Sequence, residues 1–302
     1  MKKIFIILSI TFLMSSESSN TGASFRYGTN AKEVSLSGAT VSIYNSGFNA
    51  FSNPAFISKS KKHEFGLSYF LMSLDRSIQS ISYSRSISPS AGIGLSFLRI
   101  SVDKITQTDL DNNNIGTLDY FETLAAMSFA LNINKLSVGS NLKIYQNHLH
   151  NYTAEGIGFD IGLNYSLNNQ FNLAFCTKNI GATYKWDYDR DEDIPVITSF
   201  GASYQDTHSK LNDIIITMQF DYKDSEYEKY KLGVEINPFR IVKFRFGLKE
   251  NSSSDVSHLI YFGAGYKLQS EILGNINIDY ALDPGAVGEG ITHLFSFTFL
   301  RN

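Results

Sequence analysis

Five carboxylates and one guanidinium crowd a short stretch of this chain: Asp187, Asp189, Asp191, Glu192 and Asp193, with Arg190 among them. Oxygen ligands at that density suit calcium, or divalent ions that bridge lipid phosphates. The same composition describes a solvated loop, and that is the expectation. Asp109, Asp111 and Asn113 repeat the opening ligand spacing of an EF-hand. There Asn114 stands in place of the required glycine and Tyr120 in place of the bidentate glutamate, so that reading fails. His148 and His150 share one face of an extended segment, yet no third metal ligand is near them in sequence. Cys176 is the only cysteine, so no internal disulfide forms, and no His or Lys is placed to activate its thiol. There is no Gly-x-Ser-x-Gly elbow and no Ser/His/Asp set in a recognisable context. Gly92-Ile93-Gly94 and Gly263-Ala264-Gly265 fall inside extended stretches, where glycine serves close packing and not phosphate binding. No enzyme, cofactor or metal is therefore expected.

A second charged set has a different character. Lys231, Glu235, Lys243, Arg245, Lys267 and Asp279 alternate with apolar residues, so the elements that carry them must have a period of two. Over 240–250, Val242, Phe244, Phe246 and Leu248 face one way while Lys243, Arg245, Gly247 and Lys249 face the other. At the chain end, Phe295, Phe297 and Phe299 are separated by Ser296 and Thr298. Such alternation is a β-strand signal. It recurs in fourteen segments: 63–72, 76–87, 91–103, 119–133, 135–147, 152–166, 170–180, 194–206, 211–223, 229–237, 240–250, 257–269, 272–282 and 290–301. Long connections (104–118, 181–193, 283–289) follow odd-numbered segments, and tight ones follow even-numbered segments. An even strand count, short turns at one end and long loops at the other describe an antiparallel transmembrane β-barrel with both chain ends in the periplasm. Tyr165, Tyr204 and Tyr266 at one level and Tyr222 and Tyr280 at the other fit two interfacial aromatic girdles.

Bulk composition agrees. Only 18% of the 302 residues are charged, and 26 Lys+Arg nearly balance 29 Asp+Glu, which gives nucleic acid nothing to bind. Lys2-Lys3, the apolar run Ile4 to Met14 and the small residues after it make a secretory signal peptide over 1–18, with cleavage between 16 and 23. Residues 24–60 do not alternate and are expected to enter the barrel as a plug, and 61–302 form the barrel itself. The expected location is the bacterial outer membrane, among its lipid and lipopolysaccharide.

Asn53-Pro54-Ala55, with Gly38-Ala39 before it and Lys59-Ser60-Lys61-Lys62 after it, resembles the N-terminal signature of the PorV/PorQ family, barrels of the FadL-like superfamily. The resemblance continues through Thr21 to Phe25, Gly139 to Lys143 and Lys178 to Gly181, and ends on Asp279-Tyr280-Ala281 and Gly290 to His293. It implies a fourteen-stranded barrel with an N-terminal segment lodged inside. It also implies a docking role in type IX secretion, with a translocon and cargo signal domains as partners. The wider superfamily implies an alternative, the uptake of long-chain fatty acids or hydrocarbons. Tyr184, Trp186, Tyr188 and Ile194 would offer the partner an exposed aromatic loop. Lateral passage of an apolar molecule needs an apolar tunnel, whereas the inward positions read as Gly, Ser, Asn and charge. The inward charges on strands 10 to 13 are expected to pin the plug by ion pairs. The secretion role is therefore the first expectation and uptake the second.

Overall fold

Each alternating segment forms a strand because one face meets lipid and the other meets the filled interior, so a slip of one residue would invert both. The computed structural model describes residues 21–22, 25, 27–72, 75–206, 212–223, 227–238, 240–250, 258–270, 274–285 and 290–301. The signal-peptide residues 1–18 and the cleavage zone up to residue 20 lie outside them. The strands are β1 His63–Leu71, β2 Arg76–Ile87, β3 Ala91–Thr108, β4 Asn114–Ile133, β5 Leu136–Leu149, β6 Tyr152–Ser166, β7 Phe171–Ile180, β8 Thr183–Trp186 and β9 Asp191–Asp193. They continue as β10 Ile197–Asp206, β11 Asn212–Lys223, β12 Tyr227–Pro238, β13 Val242–Glu250, β14 His258–Ser270, β15 Gly274–Asp283 and β16 Thr292–Arg301. All pairings are antiparallel, and β1 closes the wall on β16 from His63↔Arg301 to Leu71↔His293. Fourteen strands make the closed barrel, and the short β8–β9 hairpin is extra, held to β6 at Ala154↔Trp186.

Outward positions are apolar and exposed, among them Phe65, Leu67, Ile81, Leu95, Phe97, Met127, Phe129, Ile144, Ile157, Phe246 and Phe262. A belt of that size on a water-soluble chain would be an aggregation surface, whereas in a bilayer it is the lipid contact. Tyr165, Tyr222 and Tyr266 are exposed on this outer face, and Tyr204 and Tyr280 are half-buried on it.

Two loops differ from expectation. β3 and β4 pair as far as Thr108↔Asn114, so the expected loop 104–118 contracts to 109–113. Asp109 caps that turn, accepting from the backbone N–H of Asp111 at 2.9 Å and of Asn113 at 2.8 Å. Asp109 thus serves as the side-chain cap of its own turn. The 181–193 connection holds the β8–β9 hairpin. Its carboxylates bond locally: Asp193 accepts from Thr183 Oγ1 at 2.7 Å, Asp187 from the Thr153 N–H at 3.1 Å, and Glu192 pairs with Arg190 at 3.2 Å.

The segment from Gly28 to Ser60 lies inside the wall. Helix α1 (Ala31–Ser35) starts on Asn30, whose side chain accepts from the Glu33 N–H at 3.0 Å, while Glu33 accepts from the Thr29 N–H at 2.9 Å. This reciprocal cap lets a five-residue helix stand. Helix α2 (Asn49–Ser52) leads through an extended Asn53 into a 3-10 turn, Pro54–Lys59, with proline at its first position. Proline lacks the donor that such a position would leave unused.

Candidate functional site

The composition of the inner wall changes with height. From the periplasmic end, the inward series of β1 is Glu64, Gly66, Ser68, Phe70, and that of β3 is Gly92, Gly94, Ser96, Leu98, Ile100. On β5 it is Gly139, Asn141, Lys143, Tyr145. β2 and β16 run the other way and open at the outer end with Ile78 and Leu294, then pass through serines and threonine. Small and hydroxylated residues thus occupy the level at which the luminal backbone touches the wall. On these strands large apolar residues occupy the level above it, whereas on β11 and β12 that level carries Asp221, Lys223, Lys229 and Lys231.

At the lower level the wall holds the luminal segment through its backbone. Ser68 and Ser80 both donate to the Thr29 carbonyl, at 2.6 and 2.8 Å. Thr217 Oγ1 donates to Ala39 O at 2.9 Å, Ser203 Oγ to Ser42 O at 2.8 Å and Asn141 Nδ2 to Ala50 O at 2.8 Å. Asn53 is fully buried, donating to Val41 O at 2.9 Å and Leu163 O at 3.1 Å while its Oδ1 accepts from the Ala55 N–H at 3.0 Å. Gly162 and Gly139 make the seat: a Cβ on Gly162 would lie 2.1 Å from Asn53 Oδ1, and one on Gly139 2.4 Å from the Pro54 carbonyl carbon. Tyr44 donates its hydroxyl to Glu64, and burial beside that carboxylate raises the Tyr44 pKa.

Among the described residues, inward charges of the wall form ion pairs with one another. Arg245 is buried between Glu235 (2.5 Å) and Asp279 (2.7 Å). Glu235 stands directly opposite Arg245 in register, and Gly265 on the intervening β14 leaves the opening through which Arg245 reaches Asp279. Lys231 pairs with Asp221 at 2.6 Å, Lys243 is half-buried and Lys267 is exposed near the periplasmic end of β14. Cys176 fills a small apolar site with Val41 and Ala174. His148 stacks on Phe121, ring centres 4.7 Å apart.

Above the luminal segment lies a cavity of about 410 Å³. Phe25, Met72, Leu98, Leu124, Leu259 and Tyr261 form its apolar side, continuous with Phe70, Ile78, Ile100 and Leu294. Lys178, Lys229, Lys231, Lys249 and Asp221 also line it. The chamber is thus two-sided, apolar toward β3 and β4 and charged toward β11 to β13, and a chamber that carries both is a candidate small-molecule site. The expectation of an inner face made of Gly, Ser, Asn and charge therefore holds for the lower level and for the charged side of the cavity, and misses the apolar side. The signal that would have found the chamber is the switch from small to large residues along one parity of one strand.

The aromatic loop also sits differently from expectation. Asn179 and Gly181 take positive φ, 64° and 66°, and turn the chain inward after β7. Tyr184 is 0% exposed and Ile194 3%, Trp186 is half-buried, and only Tyr188 faces out, at 46%. The turn is held by Asn179, which accepts from Tyr145 Oη at 2.8 Å and Lys143 Nζ at 3.2 Å, and whose N–H donates to Asp160 at 2.9 Å. Lys143 and Asp160 are themselves paired at 2.7 Å.

No family model matches this chain, and no curated protein matches it. Solved structures do match. The CymD monoaromatic hydrocarbon channel is similar at 13% identity and a TM-score of 0.67, over 91% of this chain and 98% of that one. The Pseudomonas putida toluene transporter TodX is similar at 12% identity and 0.63, over 91% and 99%. A Pseudomonas aeruginosa FadL homologue is similar at 12% and 0.61, over 90% and 97%. At such identities the likeness is one of fold. It reaches the FadL-like barrels and does not single out PorV/PorQ. With the closed wall and its apolar belt, it identifies a bacterial outer-membrane β-barrel.

Proposed function

We propose that this outer-membrane barrel binds and passes apolar small molecules, hydrocarbons or long-chain fatty acids, through its lumen. The observation that carries this reading is the apolar upper level of the inner wall, from Phe70 and Leu98 to Leu124 and Leu294, opening on the 410 Å³ cavity. Burial of apolar ligand surface there is favourable at about 25 cal/mol per Å² removed from water. The lysines across the cavity would meet a carboxylate if the ligand carries one. That two barrels of this fold are a monoaromatic hydrocarbon channel and a toluene transporter supports the same class. The test is uptake of a labelled hydrocarbon and of laurate into proteoliposomes. Leu98→Asp with Leu124→Asp is expected to cut uptake by about tenfold or more, because a carboxylate in that collar replaces apolar contact surface with a group that an apolar ligand cannot solvate. Unchanged uptake in a folded double variant would defeat the proposal.

Docking in type IX secretion is the second reading, supported by the resemblance around Asn53-Pro54-Ala55 and by the exposed Tyr152 and Tyr188. It loses Tyr184 and Ile194 as contact residues, since both are interior. A pull-down from solubilised membranes tests it directly. Recovery of a giant barrel translocon or cargo signal domains would favour it over uptake.

A further inference from the structure

One row of the outward wall is polar from strand to strand. Gln79, Arg99, Thr123, Gln146, Glu155 and Lys185 stand side by side in register across β2, β3, β4, β5, β6 and β8. The outward row directly below it is Ile81, Phe97, Ala125, Ile144 and Ile157, all exposed. The polar row therefore marks the outer edge of the apolar belt, where lipid headgroups begin. Elsewhere that edge carries the rings of Tyr222 and Tyr280, the usual occupants of an interface. Here amides, a hydroxyl and a guanidinium take their place. Arg99 is held in a defined pose: its guanidinium lies 4.3 Å from the centre of the Phe121 ring, and His148 stacks on the same ring at 4.7 Å. Stacking uses the face of a guanidinium and leaves its N–H groups directed sideways. Among the described residues, those N–H groups meet no carboxylate and no carbonyl. Glu155, the acid of the row, stands across from Lys185 and Gln146, not from Arg99.

We propose that this row is a binding site for a phosphorylated glycolipid of the outer leaflet. Arg99 would take a sugar phosphate, since a guanidinium fork matches two phosphate oxygens at once. Gln79, Thr123 and Gln146 both donate and accept, which suits the hydroxyls of a sugar. The acyl chains would then lie on Ile81, Phe97, Ile144 and Ile157, the apolar row beneath. Charge and position fix the occupant. A guanidinium without a protein partner at headgroup level calls for an anion, and the neutral amides beside it call for hydroxyl partners. A phosphorylated sugar carried on acyl chains supplies both at that level. The site lies on the outside of the wall and is independent of the cavity and of uptake.

The test is titration of the full barrel in detergent, read by native mass spectrometry, with EDTA present to release glycolipid that divalent ions bridge to loop carboxylates. The probes are lipid A, its dephosphorylated form, phosphatidylglycerol and inorganic phosphate. Lipid A is expected to saturate one site, with the dephosphorylated form and phosphatidylglycerol each weaker by about tenfold, the scale of a lost charge-assisted bond. Inorganic phosphate should not displace it. Arg99→Gln is expected to weaken lipid A by about tenfold, and Arg99→Lys, which keeps the charge but loses the fork, by less. Arg85→Gln removes an exposed charge from the periplasmic end of β2 and should leave lipid A binding unchanged. Heat-modifiable migration on gels shows that each variant has folded. No binding in EDTA, equal binding by Arg99→Gln, or an equal loss in Arg85→Gln would overturn the site. Displacement by inorganic phosphate, or equal binding of either comparison lipid, would overturn its assignment to a phosphorylated glycolipid.

Discussion

Asn53 shows how one side chain can organise a segment: its amide bonds Val41 within the segment and Leu163 on the wall, and its carbonyl starts the turn at Pro54. Gly162→Val should therefore unseat it, because a Cβ would overlap Asn53 Oδ1. A loss of about 1–3 kcal/mol is expected from such overpacking, measured as a lower urea midpoint of the detergent-solubilised barrel. Lys32 gives a pH dependence. It donates to Tyr44 O at 2.8 Å, and burial lowers its ammonium to about 8 from 10.5, with Glu235 offsetting only part of the shift. Between those values the unfolded chain holds the proton and the folded chain does not, so stability rises with pH from about 8 to 10.5 and is lowest below 8. The urea midpoint should climb across that window, and Lys32→Met should flatten the climb and raise the value at pH 7.

At the scale of elements, the β8–β9 hairpin depends on the inward turn after β7. Asn179 supplies both the left-handed φ and the acceptor for Tyr145 and Lys143. Asn tolerates that backbone region where a β-branched residue does not. Asn179→Val is thus expected to release the hairpin and shift Trp186 emission to the red, whereas Asn179→Gly, which keeps the backbone conformation and the N–H bond to Asp160 but not the side-chain bonds, should give a smaller shift. An unshifted spectrum in the valine variant would show that the hairpin is held elsewhere. The strands obey a different logic. Their inward serines and glycines answer the luminal backbone, and their inward leucines and phenylalanines answer the cavity. One strand therefore carries two environments in sequence.

For the whole molecule, closure of β1 on β16 leaves the barrel wall no free edge, and the outward belt requires lipid. A membrane fraction should yield a band that migrates differently before and after boiling. A soluble periplasmic monomer would contradict the architecture. The luminal segment is proposed as a plug, so the intact protein should show no large steady openings in planar bilayers. Deleting 26–56 should produce them, because the hydroxyls that now donate to its carbonyls would face water.

The architecture was legible in the residues because lipid on one side and a filled interior on the other impose a strict period of two on every strand, from the phenylalanines 295, 297 and 299 to the pairs around Arg245. Strand number and the side to which each strand residue points follow from local chemistry of this kind. Several contacts were not legible. Arg245 pairs with Glu235 and Asp279 because a glycine on β14 opens the way between non-adjacent strands. Tyr184 and Ile194 are interior because two positive φ angles fold their hairpin over the barrel. The cavity exists because the luminal backbone stops below the level of Leu98 and Leu124. Each of these depends on which distant segments meet across the lumen. Periodicity sets the direction in which a side chain points, but only the closed barrel decides what it finds there.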